Sequence, residues 1–237
     1  MLLRWFKQIL VGFGSALSDK TLHGLQMIVQ YMRLGRWMKT HGYRFPVRFA
    51  ERDGVFAAVA PEFKDKRVLY LEFGVYKGNS MRWWSQTLTH PESHLHGFDS
   101  FEGLPEAFDD AGGKYAKGWF STEGQIPQID DPRVKFFKGW FEQTLPGYQL
   151  PEHDVLVITL DADLYSSTIY VLHQLRPYIK AGTYVYFDDM SRPDHEPRAM
   201  EEFIWVIRRE ISPWMLAASP FKEATAWALR LCFRKST

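Results

Sequence analysis

The sequence predicts an α/β fold: a doubly wound, mostly parallel seven-stranded sheet with an antiparallel last strand and an N-terminal helical extension. Three observations predict it. From Arg67 onward, short β-rich apolar runs alternate with amphipathic helical stretches, the pattern of a parallel sheet covered on both faces. The first run passes straight into a glycine loop and then a helix, RVLYLEFGVYKGNS, the arrangement that lets backbone approach a ligand at a helix N-terminus. The chain also closes on two apolar runs, Trp214 to Ser219 and Trp227 to Lys235, joined by PFKEATA. So short a link holds no crossover helix, so these two strands pair antiparallel.

Residues 1 to about 45 read as helical, with Leu22, Leu25, Ile28, Val29 and Met32 recurring at three- and four-residue steps after Asp19 as N-cap. Pro46 closes that stretch, and a short helix from Phe49 to Val59 precedes Pro61. We therefore divide the chain into a helical segment, 1–62, and a ligand-binding domain, 63–237. The prefix carries no evident chemistry; covering the sheet, closing over a ligand or pairing two subunits as a homodimer are its expected uses. In the domain, Val68 to Phe73 is the first strand, with Asn79 and Ser80 as N-cap candidates for the helix after it. Leu95 to Ser100, Arg133 to Phe141, Asp154 to Asp163 and Thr183 to Asp189 are the next four strands. Helices from Ser167 to Ile179 and from Glu196 to Glu210 flank the last of these, and Gly182 stands at a C′ position. The stretch from Phe101 to Pro132 has no regular pattern and reads as a lid or binding loop.

Composition removes several classes. Twenty-nine Lys and Arg against 28 Asp and Glu leave no basic surface for nucleic acid. The one cysteine, Cys232, excludes an internal disulfide and a thiolate metal cluster, and fits a reducing, cytoplasmic setting. No apolar run approaches the roughly 18 residues that span a bilayer. MLLRWFKQILV is amphipathic, but membrane attachment is the lesser expectation beside packing on the domain or a partner.

The chemistry gathers at strand ends. Glu72, Asp99, Asp161, Asp163, Asp188 and Asp189 all lie at or just beyond the C-terminal ends of the parallel strands, where an open α/β sheet binds its ligands. Acids there serve two common ends, gripping ribose hydroxyls and holding a hard metal ion; capping the next turn is the plain alternative. Asp99 follows Gly74 by 25 positions, near the spacing of about 20 for an acid on ribose. Asp161, Asp188 and Asp189 end adjacent strands, about 4.8 Å apart, and can converge on one Mg²⁺-like cation. Trp140-Phe141 can flank a purine or simply pack, and His195 follows the Asp pair within reach of a substrate.

Five ordered blocks, LEFGVYKGNS, GFDSFEGLPE, FFKGWFEQTLP, LDADLYSST and the FDD pair, resemble the macrocin O-methyltransferase family of class I S-adenosylmethionine-dependent methyltransferases. The resemblance spans about Arg67 to Phe203 and implies a Rossmann-like fold. It implies that Glu72, Gly74, Tyr76, Gly78, Asn79 and Ser80 surround the methionine end of S-adenosyl-L-methionine. Asp99, Ser100 and Phe101 would lie at the ribose, and Gly139, Trp140 and Phe141 at the adenine. Asp161, Asp188 and Asp189 would hold Mg²⁺ or a similar divalent cation. Ala162 stands where the family more often has glycine, and Met190 where an aromatic is more usual.

The expected activity is thus methyl transfer to a hydroxyl of a small molecule, a sugar or natural product, with Asp161, Asp163 or His195 as the base. A nicotinamide-dependent oxidoreductase would need the tighter G-x-G-x-x-G that Gly74 and Gly78 do not provide. A non-catalytic binder of a nucleoside cofactor is the remaining alternative.

Overall fold

The structure is a computed structural model that describes residues 2–41, 49, 51–110, 113–189, 195–207, 211–219 and 226–233. Met190 and the end of the expected helix to Glu210 lie outside them. The parallel core is β1 (Val68–Phe73), β2 (His94–Asp99), β5 (Val134–Lys138), β6 (Val155–Leu160) and β7 (Tyr184–Phe187), arranged β5-β2-β1-β6-β7. The hairpin β8 (Ile211–Ser219) and β9 (Ala226–Phe233) completes a seven-stranded sheet in the order β7-β9-β8. Parallel ladders join only five strands; β9, the last in sequence, runs antiparallel and lies between β7 and β8 rather than at the sheet's edge. The linker of residues 220–225 leaves no room for the crossover that a parallel pairing needs.

Alternation along each strand sends two sets of side chains to opposite faces. Leu69, Leu71 and Phe73 join Ile158, Leu160, Val185 and Phe187 under α6 (Tyr165–Leu175) and α7 (Glu196–Ile207). Val68, Tyr70, Val157, Tyr184 and Tyr186 pack on the other face, under α3 (Arg52–Val59) and α4 (Asn79–Thr87). The anchor of that second layer is aromatic. Phe56 meets Trp83, Trp84 and Tyr186 with ring centroids 4.8–5.3 Å apart, contacts worth about 1 kcal/mol each beyond the area they bury. So α3, near the end of the helical segment 1–62, covers one face of the sheet and packs into the domain's core.

The rest of that prefix behaves differently. α1 (Leu2–Ser15) and α2 (Asp19–His41) leave Trp5, Phe6, Val11, Phe13, Leu25, Ile28 and Met32 exposed. Ser18, not Asp19, caps α2, its Oγ accepting from the Thr21 N–H at 3.2 Å. No helix among the described residues is long and apolar enough to cross a membrane.

Two other local expectations change. The N-cap of α4 is Gly78, at φ 73°, rather than Asn79 or Ser80. The stretch from Phe101 to Pro132 is not wholly irregular, because β3 (Phe108–Asp110) and β4 (Gly113–Tyr115) form a small hairpin. The third strand ends at Lys138, after which Trp140 leads into α5 (Phe141–Thr144).

One buried histidine makes stability depend on pH. His96, on β2, has Nδ1 2.6 Å from the Tyr148 hydroxyl. Burial, with His94 and Lys135 nearby, lowers its pKa to about 4. The folded protein therefore keeps His96 neutral while the unfolded chain takes up a proton near pH 6.5. Its stabilisation is complete above that pH and is lost as pH falls from about 6.5 toward 4, by about 3 kcal/mol. Urea midpoints measured across that window should fall in the wild type, and His96→Gln should flatten the slope. Equal slopes in both proteins would exclude His96 as the titrating group.

Candidate active site

Register places the acids. Phe98, Phe73, Leu160 and Phe187 are successive partners across β2, β1, β6 and β7. The residues that follow them are Asp99, Gly74, Asp161 and Asp188, so three acids and a glycine form one row along the C-terminal edge of the sheet. Backbone bonds carry the ladder through that row: Gly74 N–H to Phe98 C=O at 3.0 Å, Asp161 N–H to Phe73 C=O at 2.9 Å, and Asp188 N–H to Leu160 C=O at 3.0 Å.

At the middle of the row only glycine fits. Gly74 has φ +90°, and a Cβ there would stand 1.8 Å from the Asp161 carbonyl oxygen. Asp99 then holds the loop open: its Oδ2 accepts from the Val75 and Tyr76 N–H groups at 2.8 Å each, and its Oδ1 from the Phe101 N–H at 2.7 Å. Tyr76, Phe101 and Asp163 all have positive φ (50°, 60° and 58°). Such backbone is unfavourable for residues with a Cβ and concentrates at ligand sites.

The opposite end of the row holds a cation that the sequence does not announce. Arg52, the first residue of α3, donates from Nη1 to Asp161 Oδ2 at 3.0 Å and to Ser80 Oγ at 3.0 Å, and from Nη2 to Asp188 Oδ2 at 2.8 Å. The second oxygen of Asp188 accepts from the Tyr186 hydroxyl at 2.9 Å. Glu72, fully buried, accepts from the Tyr70 hydroxyl at 3.2 Å. Burial works against the charge of Arg52, but Asp161 and Asp188 outweigh it and hold the guanidinium firmly protonated. The acids outnumber it. Burial, then the neighbouring carboxylate of Asp161, pushes Glu72 and Asp188 upward, and burial likewise raises Asp161 despite Arg52.

Glu196 ties the two acid loops together from beneath. It is wholly buried; Oε1 accepts from the Ala162 N–H at 3.2 Å and Oε2 from the Asp189 N–H at 2.9 Å. Beside the row opens a cavity of about 820 Å³, within the range of small-molecule sites. Its lining includes Gly74, Asp161, Asp163, Asp188 and Asp189, together with Tyr115, Trp119 and Phe120 of the long loop and Gly139, Trp140 and Phe141 after β5.

Of the residues singled out from sequence, Gly74, Tyr76, Asp99, Ser100, Gly139, Trp140, Phe141, Asp161, Asp163, Asp188 and Asp189 line this cavity. The others do not. Glu72 is sealed beneath Tyr70, Ser80 is bonded to Arg52, and Gly78 faces Pro127 and Ile129. Asn79 is exposed on α4, and the Phe101 ring is buried edge-on to Phe136. His195 has Nδ1 3.3 Å from the Tyr165 N–H, as its acceptor, and is not in the cavity wall. Arg52, Glu196 and Tyr186 were not anticipated. The signal for Arg52 was indirect: strand-end acids gathered together, with Glu72, Asp188 and Asp189 buried, call for a counter-cation. Asp161, Asp188 and Asp189 present the hard oxygens that suit Mg²⁺, and two of them already face one positive centre. Among the described residues no three such side chains converge as a ready cage.

The fold and the acid-lined cavity agree with the class that the family match shows, an S-adenosylmethionine-dependent O-methyltransferase. The family profile described as Macrocin-O-methyltransferase (TylF) matches residues 68–209, more than half of the chain, and the protein belongs to that family. Solved structures share the fold. A calicheamicin methyltransferase, CalS11, is 23% identical at a TM-score of 0.55, covering 75% of this chain and 76% of its own. The O-methyltransferase NovP is 22% identical at 0.53, covering 76% and 77%. A structure described as cmcI-D160 with Mg and SAM is 19% identical at 0.51, covering 80% and 79%. A comparison with curated protein sequences gives no match.

Gly74→Ala should cost roughly 2 kcal/mol or more, because the new methyl must displace a backbone carbonyl at a positive φ. Gly12→Ala, with nothing within 4 Å on α1, should be neutral or stabilising by up to about 1 kcal/mol. Thermal denaturation of both variants checks this; equal midpoints would mean that the β1 loop is not so constrained.

Proposed function

We propose that the enzyme methylates a hydroxyl oxygen of a small molecule, a sugar or another natural product, with a divalent cation such as Mg²⁺ at the acid edge. The observation that carries this is the sharing of one cavity by the Gly74 loop and by Asp161, Asp163, Asp188 and Asp189. The relatives named for a natural product, and for Mg with SAM, support it by family likeness.

S-adenosylmethionine supplies a methyl group already activated on a sulfonium, so alignment and exclusion of water are what the protein must add. Gly74 and Tyr76 face the cavity where the methionine end would lie, and Asp99 and Ser100 where the ribose would lie. Trp140 and Phe141, in the cavity lining, would flank the adenine. Glu72 and Ser80 act from behind this surface: Ser80 accepts from Arg52, and Glu72 lies buried beneath the row, bonded to Tyr70. A divalent ion held by Asp161, Asp188 and Asp189 would lower the pKa of a bound acceptor hydroxyl.

Asp163 is the base we assign. It lines the cavity two residues beyond Asp161, whereas His195 is not part of the cavity wall and Asp161 is assigned to the divalent ion. In the transfer the acceptor oxygen bonds the methyl carbon as the carbon–sulfur bond breaks. The hydroxyl proton passes to the Asp163 carboxylate, and S-adenosylhomocysteine leaves. Tyr115, Trp119 and Phe120 form the wall against which an acceptor ring would stack.

Calorimetry should show binding of S-adenosylhomocysteine and none of NAD. Methyl transfer to a panel of vicinal-diol sugars should fall at least tenfold in excess chelator and recover with Mg²⁺. Asp163→Asn should lower kcat by about 10²–10⁴ while leaving cofactor affinity within a few-fold. Full turnover in chelator would remove the metal, and an unchanged Asp163→Asn would remove the base.

A further inference from the structure

Arg52 stands where a divalent cation would have to make its bonds. Its two terminal nitrogens bridge Asp161 and Asp188, the carboxylates at neighbouring positions of the strand-end row. Neither is a casual surface pair. The Asp188 side chain is 9% exposed, and Arg52 and Asp161 are 31% and 25% exposed. The nitrogen that meets Asp161, Nη1, is also held by Ser80 Oγ at 3.0 Å. The helix that carries it is locked to the core by Val55, Phe56 and Val59, all buried. A planar fork with fixed donors matches two carboxylates better than any other side chain does.

The cation assigned above needs oxygens of the same two carboxylates. Asp188 has one oxygen on Tyr186 and the other on Arg52, so neither is without a partner while Arg52 is in place. Two cations drawn to the same oxygens exclude each other in proportion to their affinities. We infer that Arg52 is a built-in competitor for the metal: the guanidinium occupies the acid edge of the metal-free enzyme and must swing off Asp161 and Asp188 before a divalent cation can bind there. This rests on the reading that a divalent ion uses Asp161, Asp188 and Asp189.

The arrangement does two things. Without metal, Arg52 keeps a buried acid cluster from being left without a counter-charge, which would otherwise loosen the ends of β6 and β7. With metal, the displaced guanidinium remains next to the cavity it lines, as a positive group facing bound cofactor or acceptor. Asp161 and Asp188 thus serve two alternating partners.

The test is metal binding itself, with no turnover required. Mn²⁺ and Mg²⁺ are titrated into metal-free wild type, Arg52→Gln and Arg52→Lys, followed by calorimetry, by the Mn²⁺ electron-spin signal and by melting temperature. Arg52→Gln should bind Mn²⁺ at least tenfold more tightly than wild type. It should melt lower without metal, and gain more from saturating Mg²⁺. Arg52→Lys, a point charge able to hold one carboxylate well but not both, should fall between the two and serves if Arg52→Gln does not fold. Equal affinities in all three proteins, or weaker binding on loss of Arg52, would overturn the competition while leaving the metal site standing. No metal binding to any of them, with S-adenosylhomocysteine still bound, would overturn the metal reading and the competition with it.

Discussion

Everything at this site depends on four strands stopping at the same height. Because Phe98, Phe73, Leu160 and Phe187 are register partners, the next residue of each strand falls on one line, and three of those residues are aspartates. A slip of one residue in any strand would send its acid to the other face and its apolar set to solvent. The core prevents that slip. Phe73, Leu160 and Phe187 are buried under α6 and α7, while Tyr70 and Tyr186 are buried under α3 and α4. Packing energy spent on the sheet is therefore what positions the chemistry.

The same row creates an electrostatic problem. Carboxylates held close together and away from water favour protonation, and Glu72, Asp161, Asp188 and Glu196 are all pushed upward for that reason. The chain answers with local partners. Two strands each place a tyrosine two residues before an acid, on the same face, so that Tyr70 serves Glu72 and Tyr186 serves Asp188. Glu196 spends both its oxygens on backbone N–H groups of the acid loops. Arg52 supplies the positive charge, and its helix is anchored in the aromatic layer beneath.

Much of this was legible in the sequence because it repeats at short range. The parallel strands announce themselves as apolar runs closed by an acid, and the loop from Gly74 follows directly on the first. The family blocks fix the same stretch. What was illegible needed three dimensions. Arg52 meets Asp161 and Asp188 across 109 and 136 positions of chain, and no spacing rule reaches that far. Ser80 and Phe101 are neighbours of the cavity in sequence yet are buried outside its lining, Ser80 behind Arg52 and the Phe101 ring against Phe136. The weak β pattern of residues 108–115 hid a hairpin, because three-residue strands carry almost no periodicity.

Diffraction from crystals grown with S-adenosylhomocysteine and Mn²⁺, using the anomalous signal of the metal, tests the aligned edge most directly. The account predicts nucleoside density running from Gly74 past Asp99 to Trp140. It also predicts one Mn²⁺ peak against Asp161 and Asp188, with Arg52 turned aside. A nucleoside seated away from that row, or a metal peak remote from those two carboxylates, would contradict it.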